Sequence, residues 1–281
     1  MSTTDDKQLL TINQPVLFFD RRRRQYFARL TPGKSTNIRG DMLEHDAIIG
    51  RPDGCRIDSK RRNQYRVLSP TLAEYTVHME RHAAIINPKD TAFLIHYGDV
   101  RTGMHVIEAG LGSGALTANL LTAVGPTGRV TSYELEESTS GRALKNLAGW
   151  FDNTDHHQVR FTDIYEGIVE DRVDRIVLDV PEPWQVIESA AETLINGGVF
   201  AAYLPTIIQV QTLMLALRDN LHFYTSDAME VLERRWHVTE ESVRPEHQMI
   251  GHTGFLVFAR RRARWEDDPS NPQKELKAPK A

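Results

Sequence analysis

The chain has 281 residues, of which 40% are hydrophobic, enough to bury a sizeable core in one large domain or in one domain with a smaller companion. It holds no run of eighteen apolar residues, and its first thirty residues carry Asp5, Asp6, Lys7 and the Arg21 to Arg24 cluster where a signal segment would be apolar, so neither a membrane span nor a leader is expected and the cytoplasm is. The formal net charge of -4 is unevenly spread: residues 1–75 hold 14 Lys and Arg against 9 Asp and Glu, a basic stretch in an otherwise acidic chain.

Phosphate binding draws on local basic surface more than on total charge. Arg21, Arg22, Arg23 and Arg24 with Lys60, Arg61 and Arg62 are one candidate surface, and Arg260, Arg261, Arg262 and Arg264 another. A solvated turn is the simpler reading of any single run. Cys55 is the only cysteine, which excludes an internal disulfide and a Cys-rich metal site. Histidines 45, 78, 82, 96, 156 and 157 lack ligand spacing, and no metal is expected.

Along the chain, residues 14–70 alternate short apolar stretches with turn signals such as Thr31-Pro32-Gly33-Lys34 and Pro52-Asp53-Gly54, which predicts a small antiparallel β domain over residues 1–75. Asn87-Pro88-Lys89-Asp90 reads as a helix start, with Asn87 at the N-cap and Pro88 in the first turn, and the helix runs to about Tyr97. Strands over 104–109, 129–134, 158–163, 173–179 and 198–204 then alternate with helices over 114–124, 138–150, 184–195 and 207–220. That order implies a Rossmann-like α/β domain with a parallel sheet over residues 76–265. Segments 229–243 and 253–261 read as closing strands joined by a turn at Arg244-Pro245-Glu246-His247, and residues 266–281 as a loose polar tail.

The run from Val106 to Thr117 is a strand entering a glycine-rich turn and then a helix. Gly110, Gly112, Ser113, Gly114, Ala115 and Leu116 would let backbone approach a ligand and aim helix amides at it. Spacing leaves the ligand open, because Gly110, Gly112 and Ala115 also satisfy the dinucleotide pattern. Glu134, at the end of the next strand, is placed to accept both hydroxyl hydrogens of a ribose. Asp163, at the end of the third strand of this domain, is placed to accept from an adenine amine. Two roles are open to Glu108: contact with a cationic end of the cofactor, or support of the glycine loop.

The fourth strand ends in Leu178-Asp179-Val180-Pro181-Glu182-Pro183-Trp184, a carboxylate in a stiff loop where a substrate would enter. Glu108 to Thr117, Tyr133-Glu134, Asp163, Asp179 to Trp184, and Arg244 to Thr253 together resemble the bacterial TrmI type of tRNA adenine-58 N1-methyltransferase. The resemblance covers almost the whole chain. It implies a class I methyltransferase using S-adenosyl-L-methionine, with tRNA as partner and a homotetrameric assembly. By the same resemblance Asp179 grips the target adenine and borders the cofactor site, while Tyr203 lines the base pocket. Trp184 stacks on a base or covers the sheet edge, and His252 touches RNA or serves a structural role. The family often has Tyr before Pro-Lys-Asp where this chain has Asn87. A nicotinamide dehydrogenase would explain the glycine loop but not the Asp179 loop. A methyltransferase of other acceptors would need no basic accessory domain, and a non-catalytic RNA-binding module would not need Glu134, Asp163 and Asp179 together.

Overall fold

The computed structural model describes residues 8–82 and 84–263. Asp5, Asp6, Lys7, Arg264 and the expected tail over 266–281 lie outside the described residues. The chain forms two compact units: residues up to Glu80 with Lys145–Asn153, and Arg81–Leu144 with residues from Thr154 onward. The smaller unit thus reaches beyond residue 75 and includes a distant segment. Tyr75 draws that segment in, its hydroxyl donating to the Asn146 carbonyl at 2.7 Å.

In the smaller unit the strands are β1 (Pro15–Phe19), β2 (Gln25–Arg29), β3 (Ser35–Ile38), β4 (Asp41–Glu44), β5 (Arg56–Asp58) and β6 (Gln64–Leu68), followed by helix α1 (Leu72–His78). A four-stranded antiparallel sheet in the order β2-β1-β6-β5 packs with the separate β3–β4 hairpin around Val16, Phe18, Leu30, Ile38, Ile48, Tyr65 and Val67. On β6 the period of two is plain, Tyr65 and Val67 facing in while Arg66 and Leu68 face out. Helix α1 was not expected from periodicity; a capping box between Thr71 and Glu74 starts it.

The larger unit comprises α2 (Pro88–Tyr97), β7 (His105–Ala109), α3 (Ala115–Val124), β8 (Arg129–Glu134), α4 (Glu137–Ala148, whose last residues belong to the smaller unit), β9 (His157–Phe161), β10 (Val173–Leu178), α5 (Ile187–Thr193), β11 (Leu194–Leu204), α6 (Ile207–Asp219), β12 (Phe223–Glu230), β13 (Trp236–Val238), β14 (Val243–Pro245) and β15 (Phe255–Arg261). Its seven-stranded sheet has the order β12-β15-β11-β10-β7-β8-β9. Strands β9, β8, β7, β10 and β11 are parallel, and β15 runs antiparallel between β11 and β12. Ile107, Ile176, Leu178, Phe200, Leu204 and Val257 form the buried centre.

Four boundaries differ from expectation. Strand β12 occupies 223–230, because a register shift between Tyr224 and Ser226 breaks the alternation that would have marked it. Most of 229–243 is therefore not a strand, and Val243–Pro245 pairs with Trp236–Val238 as a hairpin apart from the main sheet. The expected helix over 184–195 is a 3-10 turn at Pro183–Val186 followed by the shorter α5, since β11 already begins at Leu194. Strand β9 ends at Phe161, so Asp163 lies beyond it.

Candidate active site

The parallel register brings the chemistry together. Leu178 pairs with Ala109 on one side and Ala202 on the other, so the next residues, Asp179, Gly110 and Tyr203, emerge side by side at the carboxyl ends of β10, β7 and β11. This is where strand order reverses direction, the usual ligand crevice of an open α/β sheet. Backbone bonds lock it: Asp179 N–H donates to the Ala109 carbonyl, and Gly110 N–H donates to the Asp179 carbonyl at 3.4 Å.

Gly112 and Gly114 have φ of +54° and +81°, left-handed conformations that favour glycine, and Gly114 then starts α3 without a side-chain cap. Ser113, Ala115 and Leu116 are buried in this turn. Glu134, at the tip of β8, accepts from Gly112 N–H at 3.3 Å and from Glu136 N–H at 3.2 Å, so its carboxylate faces the glycine loop. Asp163 caps a short 3-10 turn, accepting from Tyr165 N–H at 2.9 Å, which gives it a local structural duty.

Glu108 is fully buried beneath the loop. Its Oε2 accepts from Ser132 Oγ at 2.6 Å and Thr117 Oγ1 at 2.8 Å, and its Oε1 has no hydrogen-bond partner among the described residues. Burial pushes its pKa up to about 8, against the two hydroxyls, and the negative charges of Asp179 and Glu134 add to the rise. Asp179 opens to solvent at its strand end, yet the protein around its carboxyl desolvates it enough to push its pKa up to about 6.

On the far side of Asp179 lies a polar cluster that the sequence did not reveal. Tyr203 donates its hydroxyl to the Thr253 carbonyl at 2.7 Å. Thr253 Oγ1 donates to Asp90 at 2.7 Å, and Lys89 Nζ donates to Asp90 at 2.6 Å and to Thr253 Oγ1 at 2.7 Å. Asp90 is wholly buried and the Lys89 side chain is only 10% exposed. Gly254 lets this segment approach the Tyr203 ring: a Cβ there would fall 2.6 Å from its hydroxyl oxygen. Asn87 caps α2, its Oδ1 accepting from Lys89 N–H at 3.1 Å. In the sequence, the sign of a buried role for Lys89 and Asp90 is that two opposite charges stand next to each other.

Trp184 is half-buried and packs against the main core from the 3-10 turn. Both ring nitrogens of His252 are engaged, Nδ1 with Glu230 at 2.6 Å and Nε2 with the Pro205 carbonyl at 2.9 Å, and the Glu230 contact raises its pKa. It lies before β15 rather than within it. Arg21 to Arg24 form the β1–β2 turn in the smaller unit, where Arg24 pairs with Asp20.

Residues 64–244 match the family of the GCD14 subunit of the tRNA methyltransferase complex, and residues 10–57 match the TrmI-like N-terminal family. The tRNA (adenine(58)-N(1))-methyltransferase TrmI of Thermus thermophilus is 34% identical over 88% of this chain and 96% of its own length. The chain belongs to the TrmI-type tRNA (adenine-58-N1)-methyltransferase family.

A solved TrmI structure is similar over almost the whole chain. The tRNA (m1A58) methyltransferase TrmI of Aquifex aeolicus superposes with a TM-score of 0.79 at 29% identity, covering 91% of this chain and 99% of that one. A SAM-dependent O-methyltransferase of Thermotoga maritima superposes with a TM-score of 0.86 at 31% identity, covering 91% and 95%. Among the described residues no helix is long and apolar enough to cross a membrane, and no group of three or more His, Cys, Asp or Glu could hold a metal ion.

The TrmI-type site also fits the cofactor that the fold implies. The carboxylates of Glu134 and Asp179 flank the glycine loop, and beneath it the buried Glu108 carboxyl offers an oxygen with no partner among the described residues. Such a setting suits a ligand with ribose hydroxyls and a cationic end.

Proposed function

We propose that this chain transfers a methyl group from S-adenosyl-L-methionine to N1 of adenine 58 in the T-loop of tRNA. The observation that carries the reading is the placement of Asp179 between the glycine loop and Tyr203 in a member of the TrmI family. When bound, the cofactor supplies an electrophilic methyl group. Glu134 would hold its ribose hydroxyls and Asp163 its adenine amine, and the loop from Gly110 to Leu116 would present backbone to it.

Adenine N1 carries an in-plane lone pair, so the protein need not remove a proton before attack; it must orient the base. Asp179, ionised above a pKa of about 6, would accept from the N6 amine and favour the positive charge that develops on the ring. Tyr203, fixed through Thr253 and Asp90, would line the pocket. An adenine inside folded tRNA must leave its stack to arrive there. Trp184 is a further candidate wall of the pocket, and His252 holds the neighbouring loops together.

A cytoplasmic location goes with a tRNA substrate, and a homotetramer belongs to the same reading. Its support is the hairpin β13–β14, where Trp236, Val238 and Val243 are 57%, 68% and 68% exposed. An isolated two-stranded ribbon is marginal in water, so apolar side chains on one point to a covering neighbour.

Incubation with unmodified tRNA and labelled cofactor, followed by mapping of the product, tests the reaction. Label at N1 of adenine 58, lost when that base is replaced, is expected. Methyl transfer to bulk protein or small molecules but not to tRNA would overturn the proposal.

A further inference from the structure

We infer that three turn tips of the smaller unit form a pocket for a phosphodiester of the RNA backbone, with Arg21, Arg22 and Arg39 as its donors. The inference rests on the tRNA reading above and extends it to a site of defined composition. A cavity of about 230 Å³ is lined by Arg21, Arg22, Arg24 and Arg39 together with Asp20 and Asp41. These residues come from the β1–β2 turn and the β3–β4 turn, and the β5–β6 turn closes the cavity through Asn63 and Gln64.

Both acids already accept hydrogen bonds from within the smaller unit. Asp20 accepts from the backbone N–H of Arg22 at 2.9 Å and of Arg24 at 3.0 Å, and from Arg24 Nε at 2.7 Å. Asp41, buried, accepts through Oδ2 from Asn63 at 2.6 Å and from the Tyr65 hydroxyl at 2.9 Å, while its Oδ1 has no hydrogen-bond partner among the described residues. Among the described residues the guanidinium groups of Arg21, Arg22 and Arg39 have no acidic partner. Arg61 lies against the β3–β4 turn, its Nη1 2.8 Å from where a Cβ of Gly40 would stand, and adds charge at the rim. With four arginines against two acids in its lining, the pocket carries net positive charge.

The backbone points the same way. Each of the three turns contains an arginine in the left-handed region: Arg23, Arg39 and Arg62 have φ of +60°, +54° and +62°. Arg39 and Gly40 are the whole β3–β4 loop, between the paired Ile38 and Asp41, and a two-residue loop with both φ positive favours Asn-Gly. Arginine is a costlier choice there for folding alone. Of the three, Arg39 lines the cavity itself, and a need for charge there accounts for its choice. A phosphodiester, singly charged and rich in acceptors, matches forked guanidinium donors.

Arg39→Gly separates folding from binding, because glycine relieves the left-handed position while removing the charge. Binding to unmodified tRNA is measured as a function of salt for the full chain, for Arg39→Gly, for the triple variant Arg21→Ser, Arg22→Ser, Arg39→Gly, and for Arg56→Ser, whose guanidinium pairs with Asp58 outside the pocket. Arg39→Gly should keep or raise Tm and lower the log–log salt slope by about 1. The triple variant should weaken binding by about tenfold or more at low salt, while Arg56→Ser stays near wild type. An unchanged slope in the triple variant, or an equal loss in Arg56→Ser, overturns the pocket. AMP and inorganic phosphate serve as competitors: tight, Arg39-dependent binding of either would show a free-nucleotide site instead and equally overturn it. Product mapping on wild-type protein judges the methylation reading separately. Failure there with an Arg39-dependent slope leaves the pocket standing, and the converse leaves the reaction.

Discussion

Asp179 combines an open position with a pKa pushed up to about 6 by desolvation. Its carboxylate is the form that accepts from N6, so the single-turnover rate should rise with pH up to about 6 and then level off. Asp179→Asn should lower that rate by roughly a hundredfold or more and remove this rise, while cofactor affinity persists. A near-normal rate on unmodified tRNA would make Asp179 a loop residue only. Glu134→Ala and Asp163→Ala should each weaken S-adenosylmethionine binding measured by calorimetry, since a hydrogen bond to a charged group contributes about 1.5–3 kcal/mol.

Glu108 makes a prediction about stability. Its pKa is raised from 4.5 to about 8, so the folded state holds a proton that the unfolded state releases at lower pH. The contribution is complete below about 4.5 and is lost as pH rises toward 8. Glu108→Gln keeps an acceptor for Ser132 and Thr117 and should remove this component of the pH dependence. Denaturant melts of both proteins across that window check it; parallel profiles would show that Glu108 does not titrate there.

Among the elements, α2 and the segment entering β15 are joined by the Lys89–Asp90–Thr253 cluster. Breaking a buried ion pair by removing one partner strands the other, at a cost of about 3–5 kcal/mol. Asp90→Ala should therefore destabilise strongly, and Lys89→Met with Asp90→Leu should recover much of that loss. The double variant should still turn over tRNA poorly if the cluster orients Tyr203, and a normal kcat in it would reduce the cluster to a structural role. Denaturant melts and single-turnover rates together decide between the two.

At the scale of the whole molecule, the exposed cross-strand pair Val238 and Val243 on an otherwise unsupported hairpin motivates the assembly. Val243→Asp should lower the mass seen by light scattering from that of a tetramer to that of a smaller species. An unchanged tetramer would place the contacts elsewhere.

Much of this molecule could be read along the chain because its signals are local. The glycine turn, Glu134 and Asp179 at their strand ends, the Asn87 cap and the alternation of strands and helices each depend on neighbours a few residues away. Asp179 and Trp184 stood out for the same reason, in a stiff run of prolines. Sequence periodicity did not mark β12, because its register shift sets apolar residues out of phase, nor the hairpin at Trp236 to Pro245, which packs into no sheet. It also could not show that Asp90 is buried beside Tyr203, more than a hundred residues away, or that three arginine-bearing turns share one cavity. Those facts are set by strand order and register: burial and hydrogen bonding between distant segments depend on where the sheet places them, and no local pattern encodes that.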